Sequence, residues 1–211
     1  SVTITVDSEP DTDDADGGDI NASLSVNNDD IVSDAAITAS FDAAAGNDSI
    51  SIGHAMNAAL SGDMGSGADQ LTLTADLTNA VTFDMASGND EIILAANQGA
   101  ILTIDLGSGE DIVDFEVAQT SSIHVIQAFG SDDTLDLTTF NLTDGLDTTL
   151  HANSAAAIAE LDTYDVVFYD TGADIRVIVD ADDSDTAALD GTDMQFTIEG
   201  VQSLAGSQID F

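Results

Sequence analysis

Three stretches of 21 residues align without a gap: LSGDMGSGADQLTLTADLTNA (60–80), VTFDMASGNDEIILAANQGAI (81–101) and LTIDLGSGEDIVDFEVAQTSS (102–122). Gly67, Gly88 and Gly109 fall in one column, and Gly46 in AAAGNDSISI extends it by one copy. Two residues after each glycine stands an aspartate: Asp48, Asp69, Asp90 and Asp111. A fixed period of this length marks a unit stacked on copies of itself. After each of these aspartates, apolar residues recur at the second and fourth positions: Ile50 and Ile52, Leu71 and Leu73, Ile92 and Leu94, Val113 and Phe115. That alternation is the period of a strand with one buried face. Each unit therefore reads as strand, Gly-Asp turn, strand and polar link.

The period holds beyond the turns. Leu60, Val81, Leu102 and Ile123 form an apolar column, and Phe41, Phe83, Ile104 and Val125 keep the same spacing, with Gly62 between the phenylalanines. SVNNDDIVSD (25–34) reads as a degenerate first coil in which Asn28, tolerant of positive φ, stands for glycine. FGSDDTLDL (129–137) reads as a last coil with one inserted residue, in which Asp133 is the motif aspartate. Such units stack most simply as an all-β, right-handed parallel β-helix or β-roll, with coils ~4.8 Å apart. An antiparallel sandwich is the alternative, but sandwiches do not keep so strict a register. The expected organisation has three parts. Residues 1–18 hold an N-terminal strand (SVTITV) and an acidic linker, and 19–140 form the solenoid of ~21-residue coils. Residues 141–211 form a β-rich cap with a short helix starting at an Asn153 N-cap and strands over 165–170, 174–179 and 194–198.

The chain has 211 residues, 41 of them acidic, with Arg176 as its single cation apart from histidine and a formal charge of -40. Phosphate backbones and anionic membrane surfaces are thereby excluded as partners, since nothing is present to neutralise them. Cations are the natural counterparts. There is no cysteine to form a disulfide and no run of 18 apolar residues to span a membrane. SVTITVDSEPDTDD lacks the basic n-region of a secretory signal peptide. His54, His124 and His151 share no repeat phase, which argues against zinc or catalytic roles. Parallel β-helix enzymes that act on acidic sugars need cationic side chains that this chain lacks, so it reads as non-catalytic. Arg176 alternates with Ile175 and Val177 and is expected outward, paired to a carboxylate; Met64 and Met85 occupy equivalent slots and read as packing.

A second acidic column, Asp42, Asp63, Asp84 and Asp105, lies six residues before the first. Carboxylates stacked ~5 Å apart repel by roughly 1 kcal/mol in water and roughly 3 kcal/mol at an effective dielectric of 20. Either the columns bind cations or they form a solvated acidic face. Ca2+ suits them: it takes 6–8 oxygens with flexible geometry, from carboxylates and from backbone carbonyls such as those of Gly46, Gly67, Gly88 and Gly109. An ion between adjacent turns would be shared by two coils. Asp180, Asp182 and Ser184 add the 1-3-5 spacing of a calcium loop, although Asp185 stands where such loops need glycine and Gly191 where they need Glu.

At the turns the chain resembles the RTX (repeats-in-toxin) family, whose nonapeptide is G-G-x-G-x-D-x-U-x with U apolar. Gly65-Ser-Gly67-Ala-Asp69-Gln-Leu71 and Gly107-Ser-Gly109-Glu-Asp111-Ile-Val113 match from the second glycine onward; Ala44 and Ala86 replace that glycine elsewhere. The first glycine is replaced throughout, by Ala43, Met64, Met85 and Leu106. FGSDDTLDL and the ending LAGSQIDF are similar to closing coils and tails of the same family. The resemblance implies several bound Ca2+ ions, type I export from a Gram-negative bacterium through an uncleaved C-terminal signal, and folding on meeting extracellular calcium. It leads to the expectation of a secreted structural protein that assembles with itself in a surface layer, filament or matrix. Strand addition and Ca2+ bridging would join the copies, and a cell-surface polysaccharide is a further candidate partner. The alternative is a calcium-stiffened module of a larger adhesin, ice-binding protein or exported enzyme.

Overall fold

The computed structural model describes residues 21–24, 39–53, 59–182 and 187–211. The expected SVTITV strand, the acidic linker, the coil around Asn28, and the positions of His54 and Ser184 lie outside them. The described chain is a parallel β-solenoid with about 21 residues per coil, closed by a mixed sheet. One sheet consists of β1 (Asn21–Leu24), β3 (Ser49–Ile52), β5 (Gln70–Leu73), β7 (Glu91–Leu94), β9 (Ile112–Asp114) and β11 (Thr134–Asp136), with β16 (Ile209–Asp210) at its end. The facing sheet begins with β2 (Ala39–Asp42), β4 (Leu60–Asp63), β6 (Val81–Asp84), β8 (Leu102–Asp105) and β10 (His124–Gln127). It continues into the cap through β15 (Met194–Ile198), β14 (Ile175–Val179), β13 (Val166–Asp170) and β12 (Leu146–His151).

Strict register follows from the period. Ile50 pairs with Leu71 and Leu71 with Ile92, while Asp42 pairs with Asp63, Asp63 with Asp84 and Asp84 with Asp105. One side chain in two points inward, so Leu60, Val81 and Leu102 stack with Phe83, Ile104, Ile92 and Leu94 in one continuous core. Each fully buried aliphatic side chain contributes ~1.5–3 kcal/mol relative to exposure. Ala43, Met64, Met85 and Leu106 are 0% exposed. The position where the nonapeptide has its first glycine thus turns into the core, where an apolar side chain packs. The methionines are packing residues, as expected.

Glutamines stack at the corner opposite the Gly-Asp turns. Gln98 Oε1 accepts the Leu77 N–H at 3.0 Å, and Gln119 Oε1 accepts the Gln98 N–H at 2.9 Å. Their amide nitrogens donate to carbonyls such as Ala75 O and Ala96 O. Beside them lies His124, whose Nδ1 accepts the Leu102 N–H and whose Nε2 faces Gln119 Oε1 at 3.2 Å. Burial lowers its pKa to about 4. A neutral His124 thus completes the ladder.

In the cap, β14 runs antiparallel to both β13 and β15, and β15 joins β10 in parallel. The cap strands arise where the sequence predicts them, and so does α1 (Ser154–Ile158), at whose N-cap Asn153 Oδ1 accepts the Ala156 N–H at 3.0 Å. Around α1, Ala157, Leu161, Val167 and Ile178 form a second small core on the outer face of the cap sheet. That cluster changes the setting of Arg176. It is half-buried on the same strand face as Ile178, its Nε is buried without a hydrogen-bond partner, and no carboxylate pairs with it among the described residues. The expected outward ion pair is absent among the described residues, where Arg176 stands in cross-strand register with Tyr169 and Thr197. His151 Nε2 lies 2.7 Å from Asp147 Oδ2, within hydrogen-bond distance.

Candidate metal-binding edge

Both predicted columns line the same row of turns, but strand parity separates them. Asp42 follows the inward Phe41, so its side chain points out; Asp48 precedes the inward Ile50 by two, so its side chain points in. Asp42, Asp63 and Asp84 are exposed and Asp105 half-exposed, whereas Asp48, Asp69, Asp90 and Asp111 are at most 2% exposed.

The outer column caps its own turns. Asp42 Oδ1 accepts the Ala44 N–H, Asp84 Oδ1 the Ala86 N–H and Asp105 Oδ1 the Gly107 N–H, at 3.0–3.2 Å. Asp63 bonds the Gly65 amide in the same way; partial burial and the charges of Asp84 and Asp42 still raise its pKa. Such an exposed cap is worth little, because repulsion within the column offsets it. Asp84→Ala is therefore expected to change stability by less than about 1 kcal/mol in a chelator-treated thermal melt. A larger loss would show that this column carries the turns.

The inner column ties coil to coil. Asp69 Oδ1 accepts the Asp48 N–H, Asp90 Oδ1 the Asp69 N–H, Asp111 Oδ1 the Asp90 N–H and Asp133 Oδ1 the Asp111 N–H, at 2.8–3.0 Å. Asp133 is thus the fifth member of the column, across the inserted residue, as its sequence suggests. Its second oxygen takes the Gly130 N–H at 2.6 Å. Asp90 and Asp111 differ: the Oδ2 of each is buried and has no hydrogen-bond partner. Burial, with the charges of Asp69 and Asp111 added, pushes the Asp90 pKa up to about 7 against the opposing bond from Asp69. Burial likewise raises Asp111 to about 6, opposed by the Asp90 amide and helped by the charge of Asp133.

A cleft of about 450 Å³ opens beside these two residues, lined by Asp90, Glu91, Glu110, Asp111 and Asp132 with Asn89. No basic side chain lines it. A buried carboxylate oxygen without a donor costs free energy unless a proton or a metal ion reaches it. The residues present therefore fit a hard divalent cation: paired carboxylates, flexible spacing and no nitrogen or sulfur ligand.

Glycine at the third turn position is fixed by contact as well as by φ. At Gly88 φ is 151°, and a Cβ there would lie 1.3 Å from the Gly67 carbonyl oxygen. Gly67 and Gly109 are placed alike, with Cβ positions 1.5 Å and 1.4 Å from the carbonyl oxygen of the coil before. Two positions earlier, left-handed residues alternate along the stack as Ala44, Gly65, Ala86, Gly107 and Ala128.

Further acids gather at positions outside the repeat columns. Asp114, Asp136 and Asp210 stand in cross-strand register on the outer face of one sheet. Burial first, then the charges of Asp136, Glu116 and Glu91, raises the Asp114 pKa to about 6. Asp165 accepts the Asp144 and Gly145 N–H groups with Oδ2, repeating the inner-column device outside the repeat. At the far end of the cap, one carboxylate oxygen from each of Asp180, Asp182 and Asp193 lies within 4.8 Å of the others. Two of these three belong to the predicted 1-3-5 loop, whose Ser184 is outside the described residues. Asp193 was not legible from that loop because the fold brings it in from the next strand.

No protein-family model matches the chain, and no curated protein matches it.

Proposed function

We propose that the chain is a secreted, calcium-binding structural protein whose solenoid is completed by Ca2+ along the Gly-Asp edge and which assembles with itself at or outside the cell surface. One observation carries this reading. The inner aspartates are buried against the neighbouring coil, and at Asp90 and Asp111 the second carboxylate oxygen has no partner beside a cleft lined by acids. A cation bridging successive turns supplies the missing charge and ties coils together; Asp48, Asp69 and Asp133 extend the row. Asp42, Asp63, Asp84 and Asp105 contribute an outer negative field that concentrates cations at the same edge.

Export and calcium-triggered folding rest on the resemblance of the turns to RTX repeats. Self-assembly rests on charge: at a formal -40, copies repel until bound cations neutralise them. Circular dichroism and light scattering during a Ca2+ titration from chelator test the proposal. The expected course is a gain of β signal followed by a rise in scattering, both reversed by chelator. Fold and association unchanged between excess chelator and millimolar Ca2+ would remove it.

A further inference from the structure

We propose that Asp180, Asp182 and Asp193 form a separate divalent-cation site, of the oxygen-liganded Ca2+ class, which clamps the end of the cap sheet. The ladder that pairs β14 with β15 places Val179 opposite Met194, so Asp180 and Asp193 face each other as the next pair. Asp180 is 2% exposed and Asp193 8%, while Asp182 is exposed two residues farther along. One oxygen from each approaches the others within 4.8 Å.

Proximity of acids alone would be a feature of an acidic surface. The deciding observation is at Asp193. Its Oδ2 accepts the Asp190 N–H at 2.7 Å, whereas its Oδ1 is buried without a hydrogen-bond partner. The nearest basic residue in sequence, Arg176, lies four positions before Asp180 on β14 and makes no ion pair among the described residues. A hard divalent ion matches the three-carboxylate donor set, and waters or carbonyls can fill a Ca2+ shell of 6–8 oxygens. The consequence is mechanical. β15 is the strand that attaches the cap to β10, so an ion held between the ends of β14 and β15 stiffens the joint between cap and solenoid.

Equilibrium dialysis and isothermal titration of the full chain with Ca2+ test the site, in wild type, Asp182→Asn, Asp193→Asn and the double variant Asp90→Asn/Asp111→Asn. Asn at 193 can still accept the Asp190 N–H, and Asp182 is exposed, so at least one single variant should keep the fold by circular dichroism. Loss of one ion per chain in a folded single variant supports the proposal, as does loss of Ca2+-dependent amide protection over β14 and β15. The wild-type ion count in both single variants overturns it. The double variant keeps this ion while losing those of the turn edge, so the two readings fail separately.

Discussion

Gly88→Ala should cost more than about 4 kcal/mol or abolish the cooperative melt altogether. The added methyl carbon would sit 1.3 Å from the Gly67 carbonyl oxygen, at a φ of 151° that alanine rarely adopts. Backbone strain alone costs ~1–3 kcal/mol. Overlap adds more, because the contacted atom is main chain held in a ladder of bonds. Gly88 N–H donates to Ser108 O at 2.9 Å, and Gly67 N–H to Ser87 O at 2.9 Å. Moving one coil aside breaks bonds on both its neighbours. Gly191→Ala is the matched control, since no atom lies within 4 Å of its Cβ position. Calorimetry or dichroism-monitored melting of both variants gives the comparison. A Gly88→Ala penalty no larger than that of Gly191→Ala would mean that the turns do not stack so closely.

Asp90→Asn should reverse its effect with calcium. Without cations at pH 8, the charged Asp90 is a liability: a carboxyl raised from its ordinary 3.8 to about 7 destabilises the folded state when ionised. Asparagine keeps the acceptor for the Asp69 N–H and removes that charge, so the variant should melt higher than wild type in chelator. In excess Ca2+ it should melt lower, because one carboxylate ligand is gone. The same folded-state shifts fix the pH dependence of the metal-free wild type. Carboxyls with raised folded pKa values give stability that is complete below about 3.8 and is lost as pH rises through about 6 and 7. Asp114 and Asp193, each raised to about 6, act in the same direction. His124, lowered to about 4 from 6.5, acts oppositely, its contribution fading as pH falls below 6.5. Four groups outweigh one. The chelated protein should therefore melt higher at pH 5 than at pH 8, and Ca2+ should raise the melting temperature most at pH 8. A chelated melting temperature that climbs from pH 5 to pH 8 would contradict the buried, partnerless carboxylates.

The solenoid was open to reading because its period is written in residues with steric duties. Glycine at 67, 88 and 109 meets the neighbouring backbone, and alternating apolar residues fill one core. Asp133 was recoverable even past an inserted residue, because Leu135 and Leu137 keep the inward phase. The opposite fates of the two acidic columns were also encoded, in the even spacing of Asp48 from Ile50 and the odd spacing of Asp42 from Phe41. Identity and period alone do not distinguish them; parity does. Gln98 and Gln119 share the same 21-residue spacing, yet uncharged residues in a polar link draw no attention until their amides are seen replacing backbone partners. The cap was less open. Asp193 lies far from Asp180 in sequence and meets it through antiparallel pairing, which no local spacing records. The setting of Arg176 likewise depends on cross-strand neighbours, Tyr169 and Thr197, that no local spacing records.

The left-handed turn residues alternate, Ala44, Gly65, Ala86, Gly107 and Ala128, and a Cβ at Gly65 or Gly107 would reach within about 2 Å of the carbonyl oxygen of the alanine one coil before. The core keeps this beat over three coils only, before Ile104 takes the next place beside Phe83. Phe41 and Phe83 approach with ring centroids 5.8 Å apart across the intervening Gly62, where a Cβ would meet the Phe41 ring at 2.1 Å. At the left-handed turns, then, the steric module is a pair of coils, one bearing a methyl group and one bare. A stack lengthened or shortened by two coils preserves the alternation, whereas a change of one sets like against like at the splice.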